Sequence, residues 1–309
     1  MDAVHFPNKV LKRHRYELRR NALNAPGLQR TPVGYYTIQR RQVMPLAILE
    51  NTHLPAHLRE AAVRARWFAR DHAVLEVLLS CGARITEVCG ATWAGVNASG
   101  LDAGLRLHTK GQGSAPRKEV SLTPEAVAAL LRYFVDERPA FDPLHGGFLD
   151  WAGHRPWTPT NYLKFLHSRD IDPRRVPLFL TQRSTPYTRD SFSKTWKKMR
   201  SCTGGLCIVM SPHHIRHWYV NRELDRIAAE HGTSEFQYVM ALQGFVAQMG
   251  WQSWTSLATY DHRGVAAKML ERHDKKFQST LNVVRHPIDM SMHAAAQRAG
   301  LAPTIERTP

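Results

Sequence analysis

A short stretch of the chain, from Ser211 to Val220, combines residue types that bind and activate a phosphate. The stretch reads SPHHIRHWYV and predicts a helix start, because Ser211 is a good N-cap and Pro212 suits the first helical position. His213 and Arg216 are three residues apart and therefore share one face of the first turn. The free N–H groups of a helix start favour an anion, so an imidazole and a guanidinium on that face predict a phosphate-sized pocket.

The charge of the whole chain indicates what that phosphate belongs to. The 309 residues include 42 Lys+Arg against 26 Asp+Glu, which gives a formal net charge of +16. Such a balance favours a polyanionic partner, most simply nucleic acid. A membrane is not expected as a partner, because no apolar run reaches the roughly 18 residues that a span needs. The four cysteines predict no disulfide framework, and we expect a cytoplasmic, nucleoid-associated protein in a reducing environment.

Two further cationic side chains stand where a fold could aim them at a phosphate. Arg84 follows Gly82, which is able to end a helix in the left-handed conformation, and Glu87 is within reach of the Arg84 guanidinium. This corner is either a structural ion pair or a guanidinium held toward a phosphate. Lys110 ends the first of two short predicted strands, near the flexible tip of a hairpin. A lysine in that place is usually only solvated, so its function depends on what surrounds it.

The hydrophobic pattern predicts a mainly helical chain with a small antiparallel β-sheet, an α+β fold. Two short strands, at residues 105–110 and 118–122, make the predicted hairpin. We expect residues 141–173, with their scattered prolines and tryptophans, to form a loop-rich surface excursion. Helical patterns cover residues 57–96, 123–134, 191–200, 211–249 and 265–277, with a break at 232–233.

Two arginines, a lysine, a histidine, a tryptophan and a tyrosine are sufficient for a metal-free phosphoryl-transfer site. Preorganised guanidinium groups stabilise the negative charge that grows on a phosphodiester under attack, by roughly 3–4 kcal/mol for each well-placed donor. An arginine also binds two oxygens at once, which a lysine does not. A tyrosine hydroxyl becomes a workable nucleophile beside cations and a base. A lysine on a hairpin could then deliver the proton that the leaving 5′ oxygen needs.

Four segments resemble the boxes of the tyrosine recombinases, also called the phage integrase family, over about residues 63–285. LLSCGARITEVCGATWAGV resembles the first arginine box, and HTKGQGSAPRKEVSL resembles the hairpin that carries the family's lysine. SPHHIRHWYV is similar to the H-x-x-R-H box, and MGWQSWTSLATYDH to the final box with its tyrosine. The resemblance implies a tyrosine recombinase catalytic-domain fold with catalytic residues Arg84, Lys110, His213, Arg216, Trp251 and the nucleophile Tyr260, supported by Glu87 and His217.

The chain departs from the family pattern at three points. Trp251 stands where histidine is commoner, and its indole can still donate one N–H. The spacing from Arg216 to Trp251 is longer than usual, which suggests an insertion near residues 230–238. Only about 60 residues precede the resemblance, where the family usually has a separate helical DNA-binding domain.

The resemblance implies three regions. Residues 1–62 would be a basic segment, a reduced DNA-binding arm or clamp, and residues 63–285 the catalytic domain. Residues 286–309 would be a tail that docks on a neighbouring subunit, through the Ala-rich helical pattern SMHAAAQRAGL after Pro287.

The implied function is site-specific recombination of double-stranded DNA through a covalent 3′-phosphotyrosine, by a homotetramer on two DNA sites, with no metal and no cofactor. The integration, excision or transposition of a mobile element would use this chemistry. Alternatives are a DNA-relaxing enzyme like a type IB topoisomerase and a DNA-binding relative without catalysis. A zinc module of Cys202, Cys207, His213 and His214 is a further alternative, although its cysteine spacing fits common zinc sites poorly.

Overall fold

The computed structural model describes residues 46–97, 99–108, 117–202, 210–251, 255–261, 264–266, 268 and 271–272, together with two short N-terminal strands. The chain divides into two compact units, residues 1–46 and 47–309. In the smaller unit, β1 (Leu28–Arg30) pairs with β2 (Tyr36–Ile38) in an antiparallel ladder. The predicted division at residues 62 and 285 remains a prediction, and the predicted docking helix of the tail lies outside the described residues.

The larger unit is mainly helical. In chain order the helices are α1 (Leu46–Leu49), α2 (Leu54–Arg64), α3 (Ala69–Cys81), α4 (Ile85–Cys89), α5 (Pro124–Arg132), α6 (His145–Ala152), α7 (Pro159–Ser168), α8 (Arg189–Cys202), α9 (Pro212–His231), α10 (Glu235–Gln248) and α11 (Thr255–Tyr260). Between α4 and α5, β3 (Leu105–His108) pairs with β4 (Arg117–Val120) in an antiparallel hairpin. The predicted fold class, mainly α with a small antiparallel sheet, is confirmed. Within the described ranges, no helix has the length and apolar character to cross a membrane.

Helix α3 lies at the centre of the core. Its predicted apolar face, which includes Ala73, Val74, Val77 and Leu78, is buried, and the helix packs against α5 and α9. It ends at Gly82, whose φ of +57° is left-handed as predicted. A Cβ at Gly82 would stand 2.3 Å from Cδ1 of Tyr219 on α9, so this close approach requires glycine. The corner after Gly82 therefore lies directly against the helix of the H-x-x-R-H box.

The interpretation of residues 141–173 as a loop-rich excursion is wrong, because this segment contains α6 and α7. Thr158 accepts a hydrogen bond from the N–H of Asn161 and caps α7, whose first residue is Pro159. The aromatic residues form a buried cluster in which Tyr162 lies 4.4 Å from Trp93, measured between ring centroids. Pro159, which indicated a loop in the sequence, thus marks a helix start, and the half-buried Trp151 and Trp157 pack on the buried Phe148.

Helix α5 turns a regular apolar stripe to the core. Ala126, Leu130, Tyr133 and Phe134 are buried, whereas Leu131 is 40% exposed. The buried positions are three or four residues apart along the helix, so they share one face, and Leu131 lies outside it.

Two buried arginines fix the segment that leads into α8. Arg138 donates from Nη1 to the carbonyl of Leu178, at 2.6 Å, and Arg70 donates from Nη1 to that of Leu180, at 2.9 Å. Tyr187 then donates its hydroxyl to a buried aspartate of α3. These bonds hold the chain up to the first turn of α8, so the residue that begins this helix has a defined position.

Candidate active site

Arg84 is oriented by a buried carboxylate. The Arg84 N–H and Nη1 donate to the two oxygens of Glu87, at 3.0 and 2.7 Å. The Glu87 side chain is 1% exposed, whereas that of Arg84 is 34% exposed. Glu87 caps the first turn of α4 with one oxygen and holds the guanidinium with the other. The result is a guanidinium that is held by the predicted ion pair and is still partly open to solvent, so its orientation toward a phosphate stays a prediction.

A second cation, Lys118 on β4, reaches Glu87 from the opposite side. Its Nζ lies 2.9 Å from Oε2 of Glu87, and its side chain is 3% exposed. Burial raises the pKa of Glu87, but the charge of Lys118 and the hydrogen bonds from Lys118 and Arg84 lower it by more. The pKa of Glu87 is therefore below its usual value. Sequence reasoning missed this residue. The alternation of β4 toward the core, with Val120 also buried, is the signal that could have found it.

Arg216 lies beneath this corner, on the second turn of α9. It is 1% exposed, and its Nη1 donates to the carbonyl of Gly82 at 2.8 Å. Its Nε and Nη2 are buried without a hydrogen-bond partner among the described residues. Burial lowers the pKa of Arg216, an effect that the Tyr260 phenol opposes. Unpaired buried donors are costly, at about 1–3 kcal/mol each, so these two N–H groups are suited to receive an anion.

Tyr260 ends α11 inside a cage of aromatic and cationic groups. Its ring stacks on Trp251, with 5.2 Å between centroids and 22° between planes. The ring of His217 lies 4.6 Å away, that of His213 6.2 Å away, and the guanidinium carbon of Arg216 5.1 Å away. Tyr260 is 8% exposed, so the cage covers most of the phenol.

Trp251 closes this cage from the side of α10. It is 8% exposed, and its ring centroid lies 5.4 Å from the guanidinium carbon of Arg216. Its Nε1 is buried and has no hydrogen-bond partner within the part of the chain that the structure describes. The indole therefore contacts both the cation and the phenol, and it keeps one N–H for an incoming acceptor.

A cleft of about 620 Å³ opens beside the cage. Arg84, His213, His108 at the end of β3 and Arg189 at the start of α8 all line it. Sequence reasoning did not single out His108 or Arg189. The signals that could have found them are the outward alternation of β3 and the basic helix start that follows a buried tyrosine. Four elements distant in the sequence, the start of α4, β3, α8 and α9, thus direct basic side chains into one cleft.

His213 stands at the exposed rim of the cleft. Partial burial lowers its pKa below the usual value of 6.5, and the charges of Arg216, His214, Arg84 and Arg189 lower it further. Its ring is perpendicular to that of His217, with 4.8 Å between centroids. The imidazole is therefore neutral near pH 7 and able to accept a proton.

The structure brings seven of the eight predicted site residues together in the cleft and the adjoining cage, and it does not describe the eighth. Lys110 lies outside the described residues, two positions after His108, which lines the cleft. Across the described ranges, no group of three or more His, Cys, Asp or Glu side chains gathers as a metal site. Cys207 of the alternative zinc module also lies outside those ranges.

The sequence matches the family model described as "Phage integrase family" over residues 56–225, more than half of the chain. The matched range includes Arg84, Lys110, His213 and Arg216, and it ends before Trp251 and Tyr260.

Curated proteins with similar sequences include two named tyrosine recombinase XerD. The protein from Xanthomonas axonopodis pv. citri (strain 306) is 26% identical over 194 residues, which is 59% of this chain and 55% of that protein. The protein from Pseudomonas putida (strain KT2440) is 31% identical over 183 residues, 56% of this chain and 49% of that protein. This chain spans about half the length of these curated relatives. Among solved structures, XerA recombinase has a TM-score of 0.41 and 16% identity, covering 72% of this chain and 64% of that one.

Proposed function

This chain belongs to the phage integrase family, and from that membership we propose that it is a site-specific DNA recombinase. It would cut one strand of double-stranded DNA, hold the end as a 3′-phosphotyrosine on Tyr260, and rejoin it to a new partner strand. Integration, excision or transposition of a mobile element would use this reaction.

The observation that carries the proposal is the packing of Tyr260 against Arg216 beside the basic cleft. The ring centroid and the guanidinium carbon are 5.1 Å apart, and Arg84 and His213 line the adjoining cleft. A phenol and a guanidinium thus pack together beside a cleft that a second guanidinium and an imidazole line. Arg216 is nearly buried, so a phosphate must displace the Tyr260 or Trp251 ring before it engages both arginines.

The proposed reaction conserves the number of phosphodiester bonds. The Tyr260 oxygen forms a bond to phosphorus, and the bond from phosphorus to the 5′ oxygen breaks. Arg84 and Arg216 stabilise the charge on the non-bridging oxygens as it grows. Attack by a second strand's 5′ hydroxyl on the phosphotyrosine reverses the step and releases the phenol. The energy of the original bond is retained, so strand exchange needs no cofactor.

Two side chains are proposed to move the protons. His213, neutral near pH 7, accepts the phenol proton, because its side chain lines the cleft in which the phosphodiester would bind. Lys110 donates a proton to the leaving 5′ oxygen. Support for Lys110 comes from its place in the matched family range and from His108, which lines the cleft two residues earlier.

The proposed active form is a homotetramer on two DNA duplexes. Head-to-tail docking of one subunit's C-terminal segment on the next would close such a ring. The candidate segment begins after Pro287 and is rich in alanine, so it would be marginal as an isolated helix.

Covalent trapping tests the proposed function. The protein is incubated with a pool of nicked duplexes that have a randomised central segment, so that the short fragment beyond the cut diffuses away. We expect denaturation-resistant protein–DNA adducts, with one recurring sequence and the DNA attached at Tyr260 in peptide mapping. Adducts at unrelated sequences, with relaxation of supercoiled plasmid, would favour a topoisomerase. Tight binding with no adduct would favour a non-catalytic DNA-binding protein.

A further inference from the structure

We propose that Asn221, on the third turn of α9, is a positioning residue for Tyr260; this inference rests on the proposed function. Asn221 is 0% exposed. Its Nδ2 donates to the carbonyl of His217 at 2.9 Å and to the carbonyl of Tyr260 at 2.7 Å. One amide group therefore joins the helix of the H-x-x-R-H box to the main chain of the proposed nucleophile.

The Tyr260 carbonyl needs such a donor because of where α11 ends. The last four carbonyls of an α-helix have no partner within the helix, and Tyr260 is the final residue of α11. A buried carbonyl without a partner is unfavourable, so most are paired with a side chain or another backbone group. Asn221 supplies the N–H for this one and thereby fixes the end of α11 on α9.

The next residue is held as well. The Asp261 carboxylate accepts hydrogen bonds from the N–H groups of Val265 and Ala266, at 2.8 and 3.0 Å. It thereby caps the helical residues Val265 and Ala266, so the residue after Tyr260 is bonded to the chain that follows. The Asn221 bond connects the end of α11 to the helix that carries the other reacting groups.

The placement of Asn221 on α9 makes the bond relevant to the chemistry. His213, His217 and Asn221 follow one another at four-residue intervals and share a stripe of the helix, with Arg216 beside them. The imidazole, the guanidinium and the amide that holds the nucleophile's backbone therefore belong to one rigid element. The distances from the Tyr260 phenol to these groups therefore depend on the link between α9 and α11.

Ring contacts alone fix the phenol less completely. The Tyr260 ring stacks on Trp251 and packs on His217, and stacked rings slide at little energetic cost. A hydrogen bond to the residue's own carbonyl restricts its Cα and so the reach of its hydroxyl. Misplacement of a reacting group by about 1 Å can cost about 100-fold in rate. Loss of the Asn221 link should therefore slow attack without weakening DNA binding.

The test compares wild type with Asn221→Leu, which keeps a branched side chain of similar shape and removes both donated hydrogen bonds. The DNA is a nicked duplex of the sequence recovered by covalent trapping. We expect the single-turnover rate of adduct formation at saturating DNA to fall about 100-fold. The Kd for DNA should stay within about twofold of wild type, because a fully buried side chain does not touch the duplex.

A second substrate separates placement of the nucleophile from protonation of the leaving group. A duplex with sulfur in place of the bridging 5′ oxygen has a leaving group that needs no proton. If Asn221 positions Tyr260, the variant stays slow on the sulfur substrate. Restoration to the wild-type rate on sulfur would overturn the proposal, since Asn221 would then act on proton delivery. An unchanged rate on the oxygen substrate would overturn it as well.

Tyr133→Phe is the matched control. It removes the hydrogen bond from the Leu180 N–H to a buried ring that packs on Phe134 and Phe179, residues outside α9 and α11. It should lower Tm without slowing adduct formation, and an equal loss of rate in this control would show that general destabilisation is the cause.

If Asn221→Leu does not fold, Asn221→Ser decides, because a serine hydroxyl bonds the carbonyl four residues back and leaves the Tyr260 carbonyl unbonded. A wild-type protein that forms no adduct overturns the proposed function and this inference together, whereas equal rates in wild type and both variants overturn this inference alone.

Discussion

The guanidinium carbon of Arg216 lies 5.1 Å from the centroid of the Tyr260 ring, so a nearly buried cation rests against a nearly buried phenol. Trp251 completes the arrangement, with its ring stacked on Tyr260 and 5.4 Å from the same guanidinium carbon. Cations are attracted to the faces of aromatic rings, which favours this packing in the absence of an anion. The contact places the two groups that the proposed reaction needs most next to each other, whereas the proposed binding of DNA would rely on the many other cations of the chain.

Replacement of either site arginine should therefore reduce cleavage much more than binding. Arg84→Ala and Arg216→Ala are each expected to slow adduct formation by about 10²–10³-fold, by analogy with the loss of one oxyanion donor. Single-turnover rates and Kd values measured on the same duplex check this. Arg226→Ala is the control, because Arg226 is an exposed arginine of α9 paired with Glu223 and Glu230. Equal losses of binding and cleavage in both site variants would mean that the two arginines only dock DNA.

Lys118→Met should destabilise the fold, because it leaves the Glu87 carboxylate buried with one cation fewer. Breaking a buried ion pair typically costs about 3–5 kcal/mol. The pKa of Glu87 is below 4.5 in the folded protein, so the stability that its ionised form contributes is present above about pH 4.5 and is lost as the pH falls through the lower, folded value. The difference in unfolding free energy between wild type and variant should thus be largest near pH 7 and shrink in acid.

Denaturant unfolding at pH 7 and at pH 4 measures this difference. A double variant, Glu87→Gln with Lys118→Met, should recover part of the stability at pH 7, because no unpaired charge remains buried. A loss in Lys118→Met that is independent of pH would show that packing, and not the ion pair with Glu87, is responsible.

The pH dependence of cleavage should reflect the lowered pKa of His213. If neutral His213 accepts the phenol proton, the rate should hold from pH 7 down to about pH 6.5 and decline only at lower pH. Arg189→Gln removes one of the charges that lower this pKa, so the decline should begin at a higher pH. NMR titration of His213 in both proteins provides an independent value.

Arg155→Gln, which changes an arginine that lies over Trp151 away from the cleft, should leave the profile unchanged. An unaltered profile in Arg189→Gln, or a decline that begins at a lower pH, would contradict the assignment of His213 as the proton acceptor.

Truncation before Pro287 tests the proposed docking of the C-terminal segment. The shortened protein should still bind one DNA site, because the cleft and the cage lie in the retained part of the chain. It should lose cooperative pairing of two sites and strand exchange, since a docked segment would connect neighbouring subunits. Native gels and sedimentation with one and two sites distinguish the two states. Strand exchange at the wild-type level would rule out this segment as the link.

The sequence predicts local features of the site better than its long-range contacts. The left-handed Gly82, the capped start of α9 and the short hairpin all follow from residue types within a few positions, and all are confirmed. Lys118, Asn221 and Arg189 were missed, because their importance depends on partners far away in the sequence. Lys118 meets Glu87 across 31 positions, and Asn221 meets Tyr260 across 39 positions.

The error at α6 and α7 has a different physical cause. Proline and tryptophan at irregular spacing are typical of loops, but proline is also favoured at the first position of a helix. Only the tertiary packing of Tyr162 against Trp93 reveals which of these applies. The position of Lys110 remains a prediction, because the sequence places it at a hairpin tip and the structure does not describe that tip.

The most direct measurement is the covalent adduct yield of Tyr260→Phe on the trapped DNA sequence. The substitution removes one hydroxyl and preserves the stacking on Trp251, so DNA binding should stay close to that of wild type. Tyr219→Phe and Tyr238→Phe, which alter buried tyrosines of α9 and α10, should still form adducts. We expect no adduct from Tyr260→Phe, and a normal adduct yield from this variant would show that Tyr260 is not the nucleophile.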